Sequence, residues 1–311
     1  MNRIVRHTPL LLTILVAAAC AGRAPSMPAP RPADEAAAPY RIVDADAGRT
    51  LDVAGLAERA AEVDVVFFGE QHDDAGTHRL QHALLDALAA RGDDVVLSLE
   101  MFERDVQSAL DNYLAGRISE EEFLAGARPW PNYAADYRPL VELARERGWP
   151  VVAANVPRRY AAMVAAGGLD TLQALPAAER DAHIARDIDC PRDAYHDRFL
   201  QAMGIHPGAG EASAAMERYY LAQCVKDETM AESIVAARER WPGALVVHVT
   251  GAFHSDFGHG IPARIERRTP GTRILILTGI PTADLARPPI EENRGRADVL
   301  LFTAGGERAQ P

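Results

Sequence analysis

The chain lacks the short motifs that usually mark covalent or nucleotide-dependent catalysis. Its 311 residues contain no Gly-x-Ser-x-Gly nucleophile elbow, no P-loop and no Gly-x-Gly-x-x-Gly dinucleotide fingerprint after a strand. A covalent serine or cysteine mechanism is therefore disfavoured. The sequence also shows no internal repeat, so a solenoid or propeller is not expected.

Cysteine is scarce, with only Cys20, Cys190 and Cys224 in the whole chain. None of them has Cys-x-x-Cys spacing or a flanking zinc-binding pattern. In an oxidising compartment Cys190 and Cys224 could form a disulfide, and otherwise they are two separate free thiols. The sequence leaves both alternatives open.

Positive charge is also in deficit, because 33 Lys and Arg face 44 Asp and Glu and give a net charge of −11. Removing a leader that contains two arginines and no acids would bring this to −11 − 2 = −13. An acidic surface argues against binding nucleic acid and against electrostatic docking on anionic lipid.

The N-terminus has the pattern of a bacterial lipoprotein signal. Arg3 and Arg6 precede the apolar run PLLLTILVAAA, which is too short to span a bilayer, and Cys20 follows directly. We expect residues 1–19 to be a signal peptide and Cys20 to be lipidated; ordinary secretion with cleavage nearby is the alternative. Alanine at position 21, in place of aspartate, favours the outer membrane, so the sequence predicts a lipid-anchored protein of the cell envelope.

The rest of the chain divides into a tether and one domain. Residues 20–38 are rich in proline and alanine without apolar periodicity, which is typical of a flexible linker. Residues 39–311 have the length of a single α/β domain, in which we expect helical inserts at about 103–147 and 157–241. We expect the domain to begin with a short hairpin or edge segment that turns at Gly48.

Apolar runs of strand length alternate with longer helical patterns. One helix, THRLQHALLDALAARG, separates two such runs and ends at Gly92, so these two strands form a parallel βαβ crossover. The sequence predicts an α/β fold with a mostly parallel central sheet, helices on both faces and a helical cap over the carboxyl ends of the strands. The expected core strands are VDVVFFGE, DVVLSLEMF, WPVVAANVP, GALVVHVTG, TRILILTG and ADVLLFTA.

Two of these strands run into a Gly-x-x-His sequence. The first ends in Gly69-Glu70-Gln71-His72 and the second in Gly251-Ala252-Phe253-His254. In open parallel sheets, ligands bind just past the carboxyl ends of the strands. We therefore expect Glu70, His72 and His254 to lie at one functional edge of the sheet.

Glu100 and Asn155 end two further strands and join this candidate site. Glu100 stands among apolar neighbours in VVLSLEMF, where a carboxylate needs a partner because burying it alone is costly. Two histidines and two carboxylates could hold a divalent metal or supply a general base with orienting acids. Their long spacing favours neither chemistry, and it leaves the metal unidentified.

The other histidines carry weaker expectations. His78 and His82 are four residues apart on a helix, but no third ligand follows at a regular spacing, so we interpret them as a chance pair. His259 is expected near the mouth of the same site. Three others are expected to be solvated, namely His183, His196 and His206.

Several separated stretches resemble the ChaN-like haem-binding lipoproteins of the Tiki superfamily. They are VVFFGEQHDDAGTHRLQ, LSLEMFERDVQ, the stretch from Trp130 through Tyr137, ANVPRRYA, and YYLAQCVKDETMA with VVHVTGAFHSDFGHG. They follow the family's order over about residues 40–280. Within this resemblance the superfamily's shared residues correspond to Glu70, His72, Glu100 and His254.

The resemblance implies a haem-binding protein with a role in haem or iron uptake at the cell surface. It also implies a homodimer on haem binding, with two haems face to face and a tyrosine as iron ligand. Candidates for that tyrosine are Tyr195, beside His196, and Tyr219 or Tyr220; tyrosinate suits ferric haem. The same four strand-end residues would then form part of the cofactor site.

The superfamily also includes hydrolases, such as Tiki-type metalloproteases and erythromycin esterases. In that alternative Glu70, His72, Glu100 and His254 would activate a water molecule, with or without a divalent metal. A lipoprotein that keeps the fold and binds nothing is a third possibility. The sequence favours a binding protein over an enzyme.

Overall fold

An eight-stranded sheet forms the centre of the structure, a computed structural model that describes residues 40–205 and 213–305. Cys20, the predicted signal peptide, the predicted tether and His206 lie outside the described residues. The strands are β1 Tyr40–Asp44, β2 Thr50–Leu51, β3 Val65–Glu70, β4 Val95–Glu103, β5 Val151–Asn155, β6 Leu245–Gly251, β7 Ile274–Thr282 and β8 Val299–Ala304.

The sheet is mostly parallel, as the sequence predicts, and its order is β2-β1-β8-β7-β3-β6-β4-β5. Only β1 runs the other way, since it pairs antiparallel with β2 and with β8. The turn between β1 and β2 contains Gly48 at φ +63°, a left-handed conformation that glycine adopts without a steric penalty. The expected α/β fold class is therefore confirmed.

Ten α-helices connect the strands of the described part. They are α1 Val53–Ala60, α2 Ala75–Arg91, α3 Gln107–Leu114, α4 Glu120–Ala127, α5 Arg138–Arg147, α6 Arg158–Gly167, α7 Ala177–His183, α8 Ala194–Ala202, α9 Ala214–Arg240 and α10 Ile261–Arg268. A π-helical turn, Tyr133–Tyr137, precedes α5, and short 3₁₀ turns follow β4 and β6.

The expected crossover between β3 and β4 is present, but the two strands are not neighbours. Both are parallel to β6, which lies between them although it comes about 150 residues later in the chain. Local periodicity carries no information on such a distant insertion. Its consequence is that both Gly-x-x-His strands, β3 and β6, are adjacent.

The two faces of the sheet are covered by separate apolar cores. On one face, Val66 and Phe68 of β3 pack with Leu84 and Leu88 of α2. On the other face, a second buried cluster holds β3 and β6 against α9. Since side chains alternate along a strand, each inner strand is apolar on both faces, which explains the continuous apolar runs in the sequence.

The outer edge of the sheet at β5 is closed by a side chain. The amide of Gln107 on α3 donates from Nε2 to the Val151 carbonyl at 2.8 Å, and its Oε1 accepts from the Ala153 N–H at 2.7 Å. The amide therefore takes both backbone positions that a further strand would use, which blocks edge-to-edge association at this point.

Hydrogen bonds hold the extended segment before α8 against α9. The Thr229 hydroxyl accepts from the Ala185 N–H at 3.2 Å, and the Tyr220 hydroxyl donates to the Pro191 carbonyl at 2.6 Å. Between these contacts the carboxylate of Glu228 accepts from the Asp189 N–H at 3.2 Å. The same fully buried carboxylate contacts three guanidinium groups of α10, those of Arg264, Arg267 and Arg268.

Cys190 and Cys224 lie in this region as free thiols. Cys224 is buried in a small cluster with Tyr195 and Tyr220, and Cys190 packs against that cluster. Burial, followed by a hydrogen bond to Cys190, raises the pKa of the Cys224 thiol. The two cysteines are thus neighbours, which the sequence left undecided.

No helix of the described residues has the length and apolar character needed to cross a bilayer.

We expect Glu228→Ala to lower the free energy of unfolding by about 3 kcal/mol, because it leaves buried guanidinium groups without their shared carboxylate. Glu239→Ala, an exposed change on the same helix, should alter it by less than about 0.5 kcal/mol. Urea unfolding of both variants measures the difference. Equal stabilities would show that the arginines find other partners.

Candidate functional site

The carboxyl ends of β3, β6 and β4 are level with one another. Glu70 pairs in register with Gly251, and the register of β4 with β6 places Glu100 beside Thr250. Strand alternation then sends the Glu70 side chain towards the α2 face and the Glu100 side chain towards the α9 face. The two carboxylates therefore enter the site from opposite faces of the sheet.

Glu70 is buried in a dense set of donors. Its Oε1 lies 2.8 Å from His72 Nδ1 and also accepts from the Tyr137 hydroxyl. Its Oε2 accepts from Gln81 Nε2 of α2 at 2.5 Å, and His78 Nδ1 lies 3.5 Å away. These contacts fix the orientation of the carboxylate, which in turn orients the His72 imidazole.

The turn before α5 holds His72 from the other side. Asn132 Nδ2 donates to the His72 carbonyl at 2.8 Å, and His78 Nε2 lies 3.1 Å from the same oxygen. The Trp130 ring meets the His72 ring edge-on at a centroid distance of 4.6 Å. The sequence singled out this aromatic stretch only through the family resemblance and assigned no role to Trp130, Asn132 or Tyr137.

Glu100 is held by the end of β6. Its Oε2 accepts from the Thr250 hydroxyl and from the Gly251 N–H, both at 2.7 Å. Its Oε1 lies 3.4 Å from His254 Nε2. The sequence-based expectation that this buried carboxylate has partners agrees with these contacts.

His254 bridges the sheet to α9. Its Nδ1 lies 2.5 Å from Asp227 Oδ1, so the imidazole stands between the carboxylates of Asp227 and Glu100. Gln223 Nε2, one turn before Asp227, lies 3.3 Å from His254 Nδ1 and donates to the Tyr195 hydroxyl at 3.2 Å. Sequence reasoning missed Asp227 and Gln223, although both stand in the family-like stretch AQCVKDETMA.

The electrostatics favour a cationic His254. Burial alone would lower its pKa, but Glu100 and Asp227 outweigh burial and raise the pKa of His254 to about 10. The same interaction works in reverse on Glu100, where burial opposes ionisation and the His254 cation brings the carboxyl pKa well below its usual range. At neutral pH this group is therefore an imidazolium between two carboxylates.

Gly251 brings the two histidine groups together. A Cβ at this position would lie 2.9 Å from His72 Cε1, 3.1 Å from His72 Nε2 and 3.7 Å from Glu100 Oε2. A larger residue here would force the His72 ring to shift from its place beside Glu70, which gives the second Gly-x-x-His glycine a physical role. The strand-end set of Glu70, His72, Glu100 and His254 thus forms one continuous site.

His72 is the histidine of that site that a bound molecule can reach. Its side chain is 49% exposed, whereas His254 is buried. Burial alone would lower the pKa of His72, but the hydrogen bond to Glu70 and the charge of Glu100 raise it. Nδ1 faces Glu70, so Nε2 can exchange a proton with a bound molecule. Among the described residues, no group of three or more His, Cys, Asp or Glu is arranged to hold a metal ion.

The tyrosine candidates differ in accessibility. Tyr195 and Tyr220 are buried, while Tyr219 is 47% exposed. Burial, and then the charge of Asp227, raise the pKa of the Tyr195 phenol well above its usual range. All three tyrosines remain predictions as haem ligands.

Asn155, which was expected to join the site, ends β5. Its Oδ1 accepts from the next backbone N–H, that of Val156, at 2.8 Å.

Five other histidines fall in different environments. His196 was expected to be solvated, which is wrong, because it is buried against the Tyr220 ring at 4.7 Å. His78 is buried and belongs to the Glu70 group, whereas His82 stays partly exposed. His259 lies beside Phe257, and His183 is half-buried against Tyr160.

We expect the stability of the protein to fall as pH rises from about 6.5 to about 10. The pKa of His254 is about 10 in the folded protein against 6.5 ordinarily, so its contribution is complete below pH 6.5 and disappears towards pH 10. Urea unfolding should show a loss on the order of a few kcal/mol that His254→Gln abolishes and His82→Gln retains. Identical pH profiles for wild type and His254→Gln would contradict a cationic His254.

Comparison with known proteins identifies a family for this chain. A family model described as haem-binding uptake, Tiki superfamily, ChaN matches residues 56–265, more than half of the chain. The solved structure of ChaN from Campylobacter jejuni, described with cofacial haem binding, has a TM-score of 0.63 at 16% identity, covering 86% of this chain and 97% of that one. At that identity the similarity shows a common fold.

Two further proteins are more distant. A mutant of the erythromycin esterase EreC in its open conformation gives a TM-score of 0.45 at 13% identity, covering 86% of this chain and 84% of that one. Protein RETICULATA-RELATED 5, chloroplastic, from Arabidopsis thaliana is 27% identical over 220 residues, 67% of this chain. The matched part spans only 29% of that curated relative.

The family match contains Glu70, His72, Glu100 and His254, together with Asp227 and the three tyrosine candidates. The resemblance noted from the sequence is therefore confirmed. The chain belongs to the haem-binding uptake family of the Tiki superfamily, the ChaN family.

Proposed function

We propose that this protein binds haem at the cell envelope, held there by a lipid on Cys20, and takes part in haem or iron uptake. Membership of the haem-binding uptake family supports the ligand, and the similar fold of Campylobacter jejuni ChaN supports a cofacial arrangement of two haems in a homodimer. The lipoprotein-like N-terminus of the sequence supports the anchor and an outer-membrane location.

The observation that carries the proposal is the exposure of three large apolar or aromatic side chains on or beside α8 and α9. The three large apolar or aromatic side chains that are exposed in the described part are Met203, Tyr219 and Phe257, each at 45–47%. Met203 ends α8, and Phe257 covers the Arg198 guanidinium of α8 at 4.5 Å. Met203 and Phe257 both lie beside α8, and we call these two residues the α8 surface, whereas Tyr219 lies on α9. Apolar and aromatic side chains of this kind are typical of sites for apolar ligands.

A porphyrin is a flat apolar disc, and the α8 surface fits its chemistry. Tyr219 offers an accessible phenol, whereas Tyr195 has its hydroxyl buried beside Asp227. Since a negative neighbour opposes the phenolate that ferric iron prefers, Tyr219 suits the ligand position better than Tyr195. Bound haem would supply the iron centre, while the protein supplies the phenol oxygen and the apolar contact.

Two haems face to face would cover the α8 surface of both copies. The exposed aromatic and thioether groups are suited to contact with porphyrin faces, which explains why they remain uncovered in one chain. The homodimer is thus proposed to depend on haem.

We expect hemin to shift the Soret band of the purified protein from residue 21 onward and to convert a monomer into a dimer on size exclusion. Tyr219→Phe should weaken binding at least about tenfold, since it removes the iron ligand. Tyr40→Phe, on β1, is the matched control and should bind as wild type does. Absence of a shift at micromolar hemin, or wild-type binding by Tyr219→Phe, would contradict the assignment.

A second candidate function is hydrolysis at the strand-end site. The observation that favours it is the pairing of a half-exposed His72 with buried Glu70, beside a second group of His254, Glu100 and Asp227. A histidine oriented by a carboxylate is suited to activate water as a general base. The cationic His254 would stabilise negative charge that develops nearby.

We expect any esterase activity to fall about 10²- to 10⁴-fold in His72→Asn, because the variant removes the general base. His82→Asn, on the α2 surface, should leave the rate unchanged. Hydrolysis of an activated aryl ester measures both, and metal analysis of the same samples tests for bound zinc or manganese. A wild-type rate no higher than that of buffer would remove this candidate.

A further inference from the structure

Lys226 is the only lysine of the chain, and it lies in the middle of α9. Its neighbours on the helix are buried, from Cys224 and Val225 on one side to Asp227 and Glu228 on the other, while Lys226 is half-buried. It makes no hydrogen bond or ion pair with any of the described residues. Its carbon stem is therefore partly covered while its ammonium stays accessible and without a counter-ion, which leaves the charge available to an incoming anion.

Helix geometry shows where Lys226 lies. On one side of α9, Ala222 and Val225 pack against α6. On another side, Gln223 and Asp227 contact His254. At 100° per residue, Lys226 falls on the strip between these two sides.

The same strip also contains Tyr219 and Ser233, each seven residues from Lys226 and therefore close to two full turns away. Ser233 Oγ donates to the Ala154 carbonyl of β5 at 2.9 Å. Lys226 is about 10 Å nearer the start of α9, so it lies beyond the carboxyl end of β5, at the mouth of the strand-end site. Tyr219 lies about 10 Å further in the same direction.

The carboxylates at this mouth already have partners. Glu70 is hydrogen-bonded to His72 and Tyr137, and Glu100 is hydrogen-bonded to the Thr250 hydroxyl and the Gly251 N–H. Glu103, which ends β4, is paired with Arg128 and Arg158. These three carboxylates are therefore already paired, and a carboxylate of an incoming ligand could serve as the counter-ion of Lys226.

We propose that Lys226 is an anion anchor for the bound ligand, and that with haem it binds a propionate carboxylate while Tyr219 on the same strip reaches the iron. This assignment rests on the proposed haem function. The flexible four-carbon stem lets the ammonium follow a carboxylate at the rim of the porphyrin, and a charge-assisted hydrogen bond there sets the orientation of the ring.

The test compares hemin with its dimethyl ester, in which both propionates are uncharged. We expect Lys226→Met to weaken hemin binding about tenfold and to leave the ester unaffected, because only hemin offers the carboxylate. Lys226→Arg should restore most of the loss. Arg240→Met removes a cation from the far end of α9 and should bind both ligands as wild type does.

The outcomes separate the two proposals. Equal hemin affinity in wild type and Lys226→Met, or an equal loss for hemin and ester, would overturn the anchor and leave haem binding intact. Failure of the wild type to bind either porphyrin would overturn the anchor together with the proposed function.

Discussion

The contact on which the site depends is the imidazolium of His254 between Glu100 and Asp227. It joins three elements that are distant in sequence, β4, α9 and the turn after β6. Because all three groups are buried, each charge is stable only while the others are present, and removal of one would leave an unpaired charge in the interior. The geometry at the carboxyl ends of the strands is therefore set by electrostatics as much as by apolar packing.

The strand ends were predictable from the sequence because glycine and histidine follow two continuous apolar runs. Such runs identify buried parallel strands, and parallel strands bring their carboxyl ends to one edge. The insertion of β6 between β3 and β4 was not predictable, since long-range strand order leaves no local pattern. That insertion is what brings Gly251 within reach of both His72 and Glu100.

Other members of the site were hidden for a different reason. Asp227 and Gln223 belong to a helix whose residues are buried on several sides, so its apolar periodicity does not reveal a site-facing strip. His196 looked solvated because it stands among charged residues in DAYHDRF, yet α8 turns it against Tyr220. To choose among the three tyrosine candidates one must know the exposed fraction of each side chain, and that depends on how α8 and α9 pack.

The proposed haem site and the strand-end site both include residues of α9. Gln223 connects them, since its amide donates to the Tyr195 hydroxyl and lies 3.3 Å from His254 Nδ1. Tyr195 in turn packs on Phe253 and Tyr220, and the Arg198 guanidinium lies over both Phe253 and Phe257 of the α8 surface. If haem binds there as proposed, this series of contacts would connect it, through Tyr195 and Gln223, with the hydrogen bonds of His254.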